Sequence, residues 1–423
     1  MRKIFVPMFI VAFAMIGVVV TPKEGSAVPS FARQMNLPCF GCHYQHIPKL
    51  NAFGRAFKLA GYTDTASALI EDELLSLPTA LPISFVAKYR YRVDTKTTAG
   101  DPKSGTERGQ WDIYDEAALF AAGRAGKNIG YAAEIPADVA NLKVIFTGEV
   151  GGLRLGVIPF RTDAGGAFWG MDLANTGVNN GNKAWEHRTM TSAAGALDLT
   201  TAATGITLYA GDSMFLAAAG LWGPAFANPD TGFDLSMSYR LAVTPTLGGF
   251  DTLIGIFGTT GKTKCVDCGS VGSNAVAATV AGSTVTNGVL DTVTTAGSPA
   301  SLREFKTEIT GVDVQAQGDL GGMTLELQAM YATTPGDGSI WGKADAMSVT
   351  AELGITKAVG VAAAYVTKTD KSGAKDVTNN ATSLSVYWNI AQNVELKPEY
   401  TIFGGDKTDG LDSRMTVMLF MGF

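Results

Sequence analysis

The chain has 423 residues, of which only 17% are charged and 50 are glycine, and its formal net charge is −6. This length allows two or three ordinary domains or one large closed barrel. An acidic chain lacks the basic surface that binds nucleic acid, so we exclude that class of partner.

The N-terminus predicts a secretory signal peptide. Residues 2–3 are basic, residues 4–20 are apolar and residues 25–27 are small. This order is typical of an exported chain, and we expect cleavage after Ala27; a retained membrane anchor is the alternative. Removal of residues 1–27 takes away three basic residues and one acidic residue, so the net charge changes from −6 to −8.

A C-x-x-C-H motif follows about a dozen residues after the expected cleavage site, at Cys39, Cys42 and His43. This spacing is typical of covalent haem attachment, in which the two thiols add to the two vinyl groups and the adjacent imidazole ligates the iron. We therefore predict that residues 28–81 hold one covalently bound haem c.

The sequence does not decide the second axial ligand of the iron. Met35 is a candidate thioether ligand, with simple packing beside the porphyrin as the alternative. His46 lies within one turn of the haem-ligating His43, so we expect it on the same side of the ring as a propionate or supporting partner. His187 falls in a predicted outer loop, where we expect it to be solvated.

Three cations near the motif, Arg33, Arg55 and Lys58, are candidate partners for the haem propionates, because guanidinium and ammonium groups pair with carboxylates. Aromatic side chains are expected to shield the ring: Phe31, Phe53, Phe57 and Tyr62. After this block, the apolar spacing over residues 63–81 predicts a short linker helix, ended by Pro78 and Pro82.

From Ile83 the hydrophobic period changes to two. Similar alternation recurs over 235–243 and 324–331, in segments of about ten residues with one apolar and one mixed face. The chain also ends on an aromatic residue, Phe423, as barrel proteins do. Residues 82–423 are therefore predicted to form an all-β transmembrane barrel of about sixteen antiparallel strands; a soluble β-sandwich is the alternative.

Long and short connections alternate along the predicted barrel. Outer-membrane barrels have short periplasmic turns and longer extracellular loops. A segment as small as residues 28–80 cannot build a stable core alone, so we expect it inside or against the periplasmic mouth of the barrel. Lys88, Arg90 and Arg92 are then expected to face the lumen. The low-complexity loop 259–302 is expected to be exposed.

Two further cysteines, Cys265 and Cys268, lie in that loop. Export permits a disulfide between them, which is the prediction; a labile metal or redox site is the alternative, although two thiols alone make a poor closed metal site.

The block around the haem motif resembles the fused monohaem cytochrome c–porin family, the outer-membrane iron(II) oxidases of iron-oxidising bacteria. The resemblance rests on P-S-F-A-R-Q at 29–34, C-F-G-C-H at 39–43 and L-N-A-F-G-R-A-F-K-L-A-G-Y at 50–62. It covers about 35 residues. The chain departs from the family at Met35 and Asn36, where Thr-Gly is usual.

The resemblance implies an oxidoreductase of the outer membrane that takes electrons from extracellular Fe(II). It implies that the electrons pass through the barrel to a soluble periplasmic carrier, a cytochrome c or a cupredoxin. The long loops would be extracellular, and the haem segment would be reached from the periplasm. Acidic loop residues are candidate Fe(II) contacts: Asp163, Asp172, Glu186 and Asp267. Two alternatives stay open: a diffusion porin with a haem plug or regulatory domain, and a surface haem sensor or peroxidase.

Overall fold

In the computed structural model the chain forms a closed barrel of sixteen antiparallel strands. The structure describes residues 29–96, 108–135, 141–176, 178, 185–199, 202–224, 235–266, 283–286, 289–292, 302–336, 339, 342–406 and 410–423. The predicted signal peptide therefore lies outside the described residues.

The barrel strands follow one another around the wall in chain order. They are β1 (Ile83–Lys96), β2 (Arg108–Gly126), β3 (Ile129–Ile135), β4 (Asn141–Val150), β5 (Leu153–Thr162), β6 (Ala203–Gly211), β7 (Phe215–Pro224), β8 (Ser236–Val243), β9 (Phe250–Thr260), β10 (Ile309–Leu320), β11 (Met323–Pro335), β12 (Lys343–Gly354), β13 (Val359–Asp370), β14 (Val377–Ala391), β15 (Val394–Gly405) and β16 (Leu411–Gly422). β16 pairs with β1 and closes the ring.

The side chains of the wall alternate with apolar groups outside and polar groups inside. Along β10, Val312 and Val314 are 49% and 37% exposed, whereas Asp313 and Gln315 between and after them are buried. This is the reverse of a soluble sandwich, and it is the pattern of a barrel whose outer face contacts lipid. The prediction of an outer-membrane barrel of about sixteen strands is confirmed.

No helix within the described ranges has the length and apolar character needed to cross a membrane.

Tight turns are gathered at the end of the barrel where β1 begins and β16 ends. At Gly151-Gly152 and Gly321-Gly322 both glycines have positive φ, between 61° and 86°, which the two-residue turns require. Phe85 and Phe423 exchange backbone hydrogen bonds of 3.0 and 2.9 Å at the same end. Short turns mark the periplasmic side, so both ends of the barrel sequence lie there.

The N-terminal segment contains two helices, α1 (Pro29–Met35) and α2 (Ala52–Leu59), separated by a single 3₁₀ turn at Cys39–Gly41. The predicted linker helix over 63–81 is wrong, because the chain forms a hairpin of Leu69–Glu71 and Ser76–Pro78. The Asp72 carboxylate accepts hydrogen bonds from the amides of Leu74 and Leu75, which favours a turn over a helix.

The long connection between β5 and β6 folds into the lumen. Its described residues, 163–176, 178 and 185–199, are mostly buried and include a short 3₁₀ turn at Ala167–Trp169 and a helix α3 at Ala193–Ala196. We call this connection the infolded loop. The expectation that it extends outward is wrong.

Between β9 and β10 the chain continues as a paired extension, Lys262–Val266 with Leu302–Lys306, and a small hairpin of Ser283–Thr286 and Val289–Thr292. Cys268 and most of the predicted exposed loop lie outside the described residues. The expected Cys265–Cys268 disulfide thus stays a prediction.

Candidate functional site

The C-x-x-C-H motif forms one compact turn. Its 3₁₀ turn brings the amide of His43 to the carbonyl oxygen of Cys39, 2.9 Å away. The ring atom Nδ1 of His43 lies 3.1 Å from the carbonyl oxygen of Lys49. Because a carbonyl oxygen only accepts, Nδ1 carries the proton and Nε2 keeps its lone pair, as an iron-ligating imidazole requires. Burial lowers the pKa of His43 to about 4, which keeps the ring neutral.

The donor set fits the chemistry of haem attachment. Cys39 and Cys42 both carry thiols and are partly exposed. Burial raises the pKa of the Cys42 thiol, which keeps it protonated and unreactive toward oxidants. Two thiols beside a neutral imidazole with a fixed tautomer are what a covalently held haem needs. Haem binding itself stays a prediction.

Helix α2 braces this turn through two residues at its start. Asn51 caps the helix by accepting from the amide of Gly54 at 2.9 Å, and its Nδ2 donates to the carbonyl oxygen of Gly41 at 3.1 Å. A Cβ atom added at Gly54 would lie 2.1 Å from the carbonyl oxygen of Cys42. Only glycine allows this close approach between α2 and the motif.

The loop after the haem motif is held by carboxylates of the barrel wall. Lys49 Nζ lies 2.5 Å from Glu352 Oε1 and 3.2 Å from Glu326 Oε2, and His46 Nε2 lies 2.8 Å from Glu352 Oε2. We call these four residues the lumenal anchor. Burial alone would lower the pKa of Lys49, but the two carboxylates outweigh it and hold the pKa above its usual value.

Side chains of the same loop also contact backbone carbonyl oxygens at the tight-turn end of the wall. Tyr44 donates its hydroxyl to the carbonyl oxygen of Gly318 at 2.6 Å, and Gln45 Nε2 donates to that of Thr324 at 2.8 Å. These acceptors flank the β10–β11 turn. The predicted location of residues 28–80 within the periplasmic mouth therefore agrees with every contact described for this loop.

The three predicted propionate partners engage other protein groups in this structure. Arg33 donates to the carbonyl oxygens of Leu81 and Ile83. Arg55 NH2 contacts both carboxylate oxygens of Asp251, at 2.7 and 2.6 Å. Lys58 Nζ donates to the backbone carbonyl oxygen of Asp172.

The predicted shielding residues separate into two groups. Phe31, Phe57 and Tyr62 form one aromatic cluster with ring centroids 4.6 to 5.5 Å apart, whereas Phe53 is exposed. Met35 packs against the hydrophobic core that includes Tyr62. Its role as sixth ligand stays a prediction.

The infolded loop meets the haem segment from the other side. Asn175 accepts from the amide of Leu50 at 3.1 Å and donates to its carbonyl oxygen at 3.0 Å, a paired contact resembling one rung of a sheet. Asp172 Oδ1 lies 3.1 Å from Arg240 Nε. Protein therefore occupies the lumen from both directions.

The acids proposed as Fe(II) contacts are not gathered at an outer surface. Asp163 is exposed, Asp172 and Glu186 are buried inside the lumen, and Asp267 lies outside the described residues. In the described part of the chain, no three His, Cys, Asp or Glu side chains are arranged to hold a metal ion.

The two remaining histidines are both buried. His187 is 1% exposed and its Nε2 lies 3.3 Å from Ser383 Oγ, so the expectation of a solvated loop histidine is wrong. Burial lowers the pKa of His187 to about 3. His46 pairs with Glu352 and its ring lies 4.5 Å from that of Tyr387.

Sequence reasoning did not identify Lys49, Glu326 and Glu352 as functional residues. The signal existed, since Glu326 stands on the mixed face of a strand whose other face is apolar. The sequence does not show which inward side chains of the barrel contact the loop that follows the C-x-x-C-H motif.

No protein-family model matches the chain, and no curated protein matches it. Among solved structures, OmpT of Vibrio cholerae is 12% identical with a TM-score of 0.43, over 84% of this chain and 100% of that one. A BenF-like porin from Pseudomonas fluorescens is 11% identical with a TM-score of 0.45, over 81% and 98%. OmpF of Salmonella typhi in complex with daunomycin is 13% identical with a TM-score of 0.48, over 84% and 100%.

The closed barrel, its apolar outer face and its charged interior define an outer-membrane β-barrel protein. Within that class, the distinguishing feature of this chain is a C-x-x-C-H turn held inside the lumen.

Proposed function

We propose that this protein is an outer-membrane c-type cytochrome that oxidises extracellular Fe(II) and conducts the electrons through its barrel to a soluble periplasmic carrier, a cytochrome c or cupredoxin. The observation that carries the proposal is the position of a C-x-x-C-H turn inside the lumen of a membrane-spanning barrel. A one-electron centre at that position serves to move electrons between the two sides of the membrane.

When bound, the haem supplies a one-electron centre, so that each Fe(II) becomes Fe(III) outside and one electron leaves to a carrier inside. The protein contributes position and electrostatics. Lys49 fixes the tautomer of His43 through its carbonyl oxygen, and the lumenal anchor fixes Lys49 to the wall. Such supporting contacts orient an axial ligand and raise its basicity.

Occupation of the lumen supports an electron conduit over a diffusion porin. The paired hydrogen bonds between Asn175 and Leu50 join the infolded loop to the haem segment inside the barrel. Electrons cross packed protein by tunnelling, whereas hydrated solutes need an open water-filled channel. The arrangement thus lets electrons pass while iron stays outside, where insoluble ferric products do not foul the periplasm.

The test is a visible spectrum of the purified, detergent-solubilised mature protein before and after anaerobic addition of Fe(II). We expect sharp reduced c-type bands, and we expect Cys42→Ala together with Cys39→Ala to abolish them. Reduction by dithionite but not by Fe(II) at any accessible pH would refute iron oxidation. High ion conductance of the reconstituted barrel would favour a diffusion porin. A high-spin five-coordinate haem spectrum would favour a sensor or peroxidase.

A further inference from the structure

Two lysines inside the lumen are buried beside each other without a carboxylate partner in the described residues. Lys58 on α2 is 9% exposed, and Lys143 on β4 is 4% exposed. Lys58 donates to the backbone carbonyl oxygen of Asp172, and Lys143 donates at 3.3 Å to that of Trp169. Backbone carbonyls carry no net charge, so neither ammonium group is neutralised by its acceptor.

The acid whose charge acts on both lysines, Asp172, directs one carboxylate oxygen to an arginine, and its other oxygen, Oδ2, is buried without a hydrogen bond in the described structure. Asp172 Oδ1 pairs with Arg240, which also holds Asp313 in a two-pronged contact of 2.5 and 2.8 Å. This described cluster has three cations, Lys58, Lys143 and Arg240, and two carboxylates. With both lysines protonated, positive charge exceeds negative charge by one in a buried place, which is costly unless a lysine gives up its proton or an anion binds there.

A third donor, on a ring that contacts Lys143, lacks an acceptor. The indole Nε1 of Trp169 is buried and makes no hydrogen bond in the described structure. Lys143 Nζ lies 4.6 Å from the centre of that same ring and 5.8 Å from the ring of Tyr62. The two ammonium groups thus have only neutral acceptors, and the indole N–H beside Lys143 has none, although buried donors need one. Acceptors with negative charge satisfy all three.

The position of Lys58 connects this lining to the haem motif. Lys58 follows Gly54 by four residues, so both lie on one face of α2, about 6 Å apart along the axis. Gly54 is the residue whose Cα packs against the Cys42 carbonyl. In haem c the propionates lie at the opposite edge of the macrocycle from the thioether bonds. A carboxylate site one helical turn beyond the cysteine-contacting residue suits that edge.

We propose that Lys58 and Lys143 form a two-lysine site, with the Trp169 indole beside it, that binds the propionate carboxylates of the haem attached at Cys39 and Cys42. The inference rests on the haem of the proposed function but not on its use of Fe(II). It gives the barrel wall, through β4, a direct contact with the cofactor. Since nearby positive charge favours the reduced haem, the lysine pair raises the reduction potential.

The experiment measures the haem midpoint potential of the full-length holoprotein by spectroelectrochemistry with soluble mediators, without Fe(II). We expect Lys143→Met and Lys58→Met each to lower the potential and Lys143→Arg to restore it. Lys88→Met is the matched control, because Lys88 is a lumenal lysine that already pairs with Glu116 at 2.7 Å. Barrel melting and haem content are recorded for each variant, since a purely structural lysine changes those and not the potential.

A potential in Lys143→Met equal to that of Lys88→Met would overturn the proposal. If Lys143→Met does not attach haem, Lys143→Gln takes its place. The wild-type protein also provides an independent test of the two-lysine site. Its propionate-bending Raman band is expected to shift between H₂O and D₂O because an ammonium donates to it; an unshifted band refutes the site. Failure of Fe(II) to reduce the wild-type protein would count against the proposed function alone, because the midpoint potential is measured with mediators and does not depend on Fe(II).

Discussion

Replacement of Glu352 by Gln tests whether the barrel wall holds residues 43–50, the loop after the two cysteines of the C-x-x-C-H motif, in place. Glu352 contacts His46 at 2.8 Å and Lys49 at 2.5 Å, with all three side chains at most 2% exposed. Breaking a buried charge pair by removing one partner costs about 3–5 kcal/mol. Lys49 keeps Glu326 as a second partner, so we expect the lower end, about 3 kcal/mol.

At 1.4 kcal/mol for each factor of ten, this loss makes local opening of residues 43–50 about 100-fold more frequent. The assay is hydrogen–deuterium exchange, read by mass spectrometry on the peptide 43–50 of the holoprotein in detergent. We expect amide protection in that peptide to fall by about two orders of magnitude, with the barrel strands unaffected.

Asp94→Asn provides the control. Asp94 forms an equally close lumenal pair with Arg414, at 2.6 and 2.7 Å, and no contact described for either residue involves residues 43–50. Exchange in 43–50 that stays within threefold of wild type for Glu352→Gln, or that rises equally in Asp94→Asn, would show that the reasoning is wrong. A Lys49→Met variant should gain protection when Glu352→Gln is added, because the second change removes a buried carboxylate that has lost its lysine partner.

Three other perturbations address the packing of the site. Gly54→Ala places a Cβ atom 2.1 Å from the Cys42 carbonyl oxygen, so we expect haem staining to show about tenfold less covalent haem per folded barrel. In the control Gly148→Ala the added Cβ atom has no neighbour within 4 Å, and the haem content should equal that of the wild type. Burial lowers the pKa of His187 to about 3, below its unfolded value of about 6.5. The infolded loop is therefore fully stable above pH 6.5, and its stability falls by about 1.4 kcal/mol per pH unit below that pH. Limited proteolysis between pH 7 and 4.5 should show this loss, and His187→Gln should flatten the pH profile. Asn175→Ala removes two hydrogen bonds to Leu50, about 1 kcal/mol each, that join the infolded loop to the segment inside the lumen. We expect a higher single-channel conductance, because the lumen opens more often. Unchanged conductance would mean that another contact closes the lumen.

The sequence alone determined the features that depend on local spacing. The period of two along residues 235–243 and 324–331 is fixed by strand geometry, so it predicts a wall with two different faces wherever it occurs. The C-x-x-C-H motif is likewise read from five consecutive residues, because the chemistry of haem attachment needs that spacing.

The prediction from local spacing was wrong where a short segment was compatible with both a helix and a hairpin. Residues 63–81 carry helix-like apolar spacing, yet the side chain of Asp72 accepts from the amides of Leu74 and Leu75 and closes a hairpin tip. With Leu74 fully exposed, the segment has no buried stripe against which a helix would pack. Tertiary contact, rather than periodicity, stabilises most short helices.

The tertiary structure alone decided what fills the barrel. His187 becomes a buried residue because the infolded loop enters the lumen, and Lys49 meets Glu326 and Glu352 across more than 270 residues of chain. Such contacts follow from closure of the barrel, which brings inward side chains of distant strands around one volume. Sequence spacing records which face of a strand a residue occupies, whereas the partner across the lumen is set by the register of all sixteen strands.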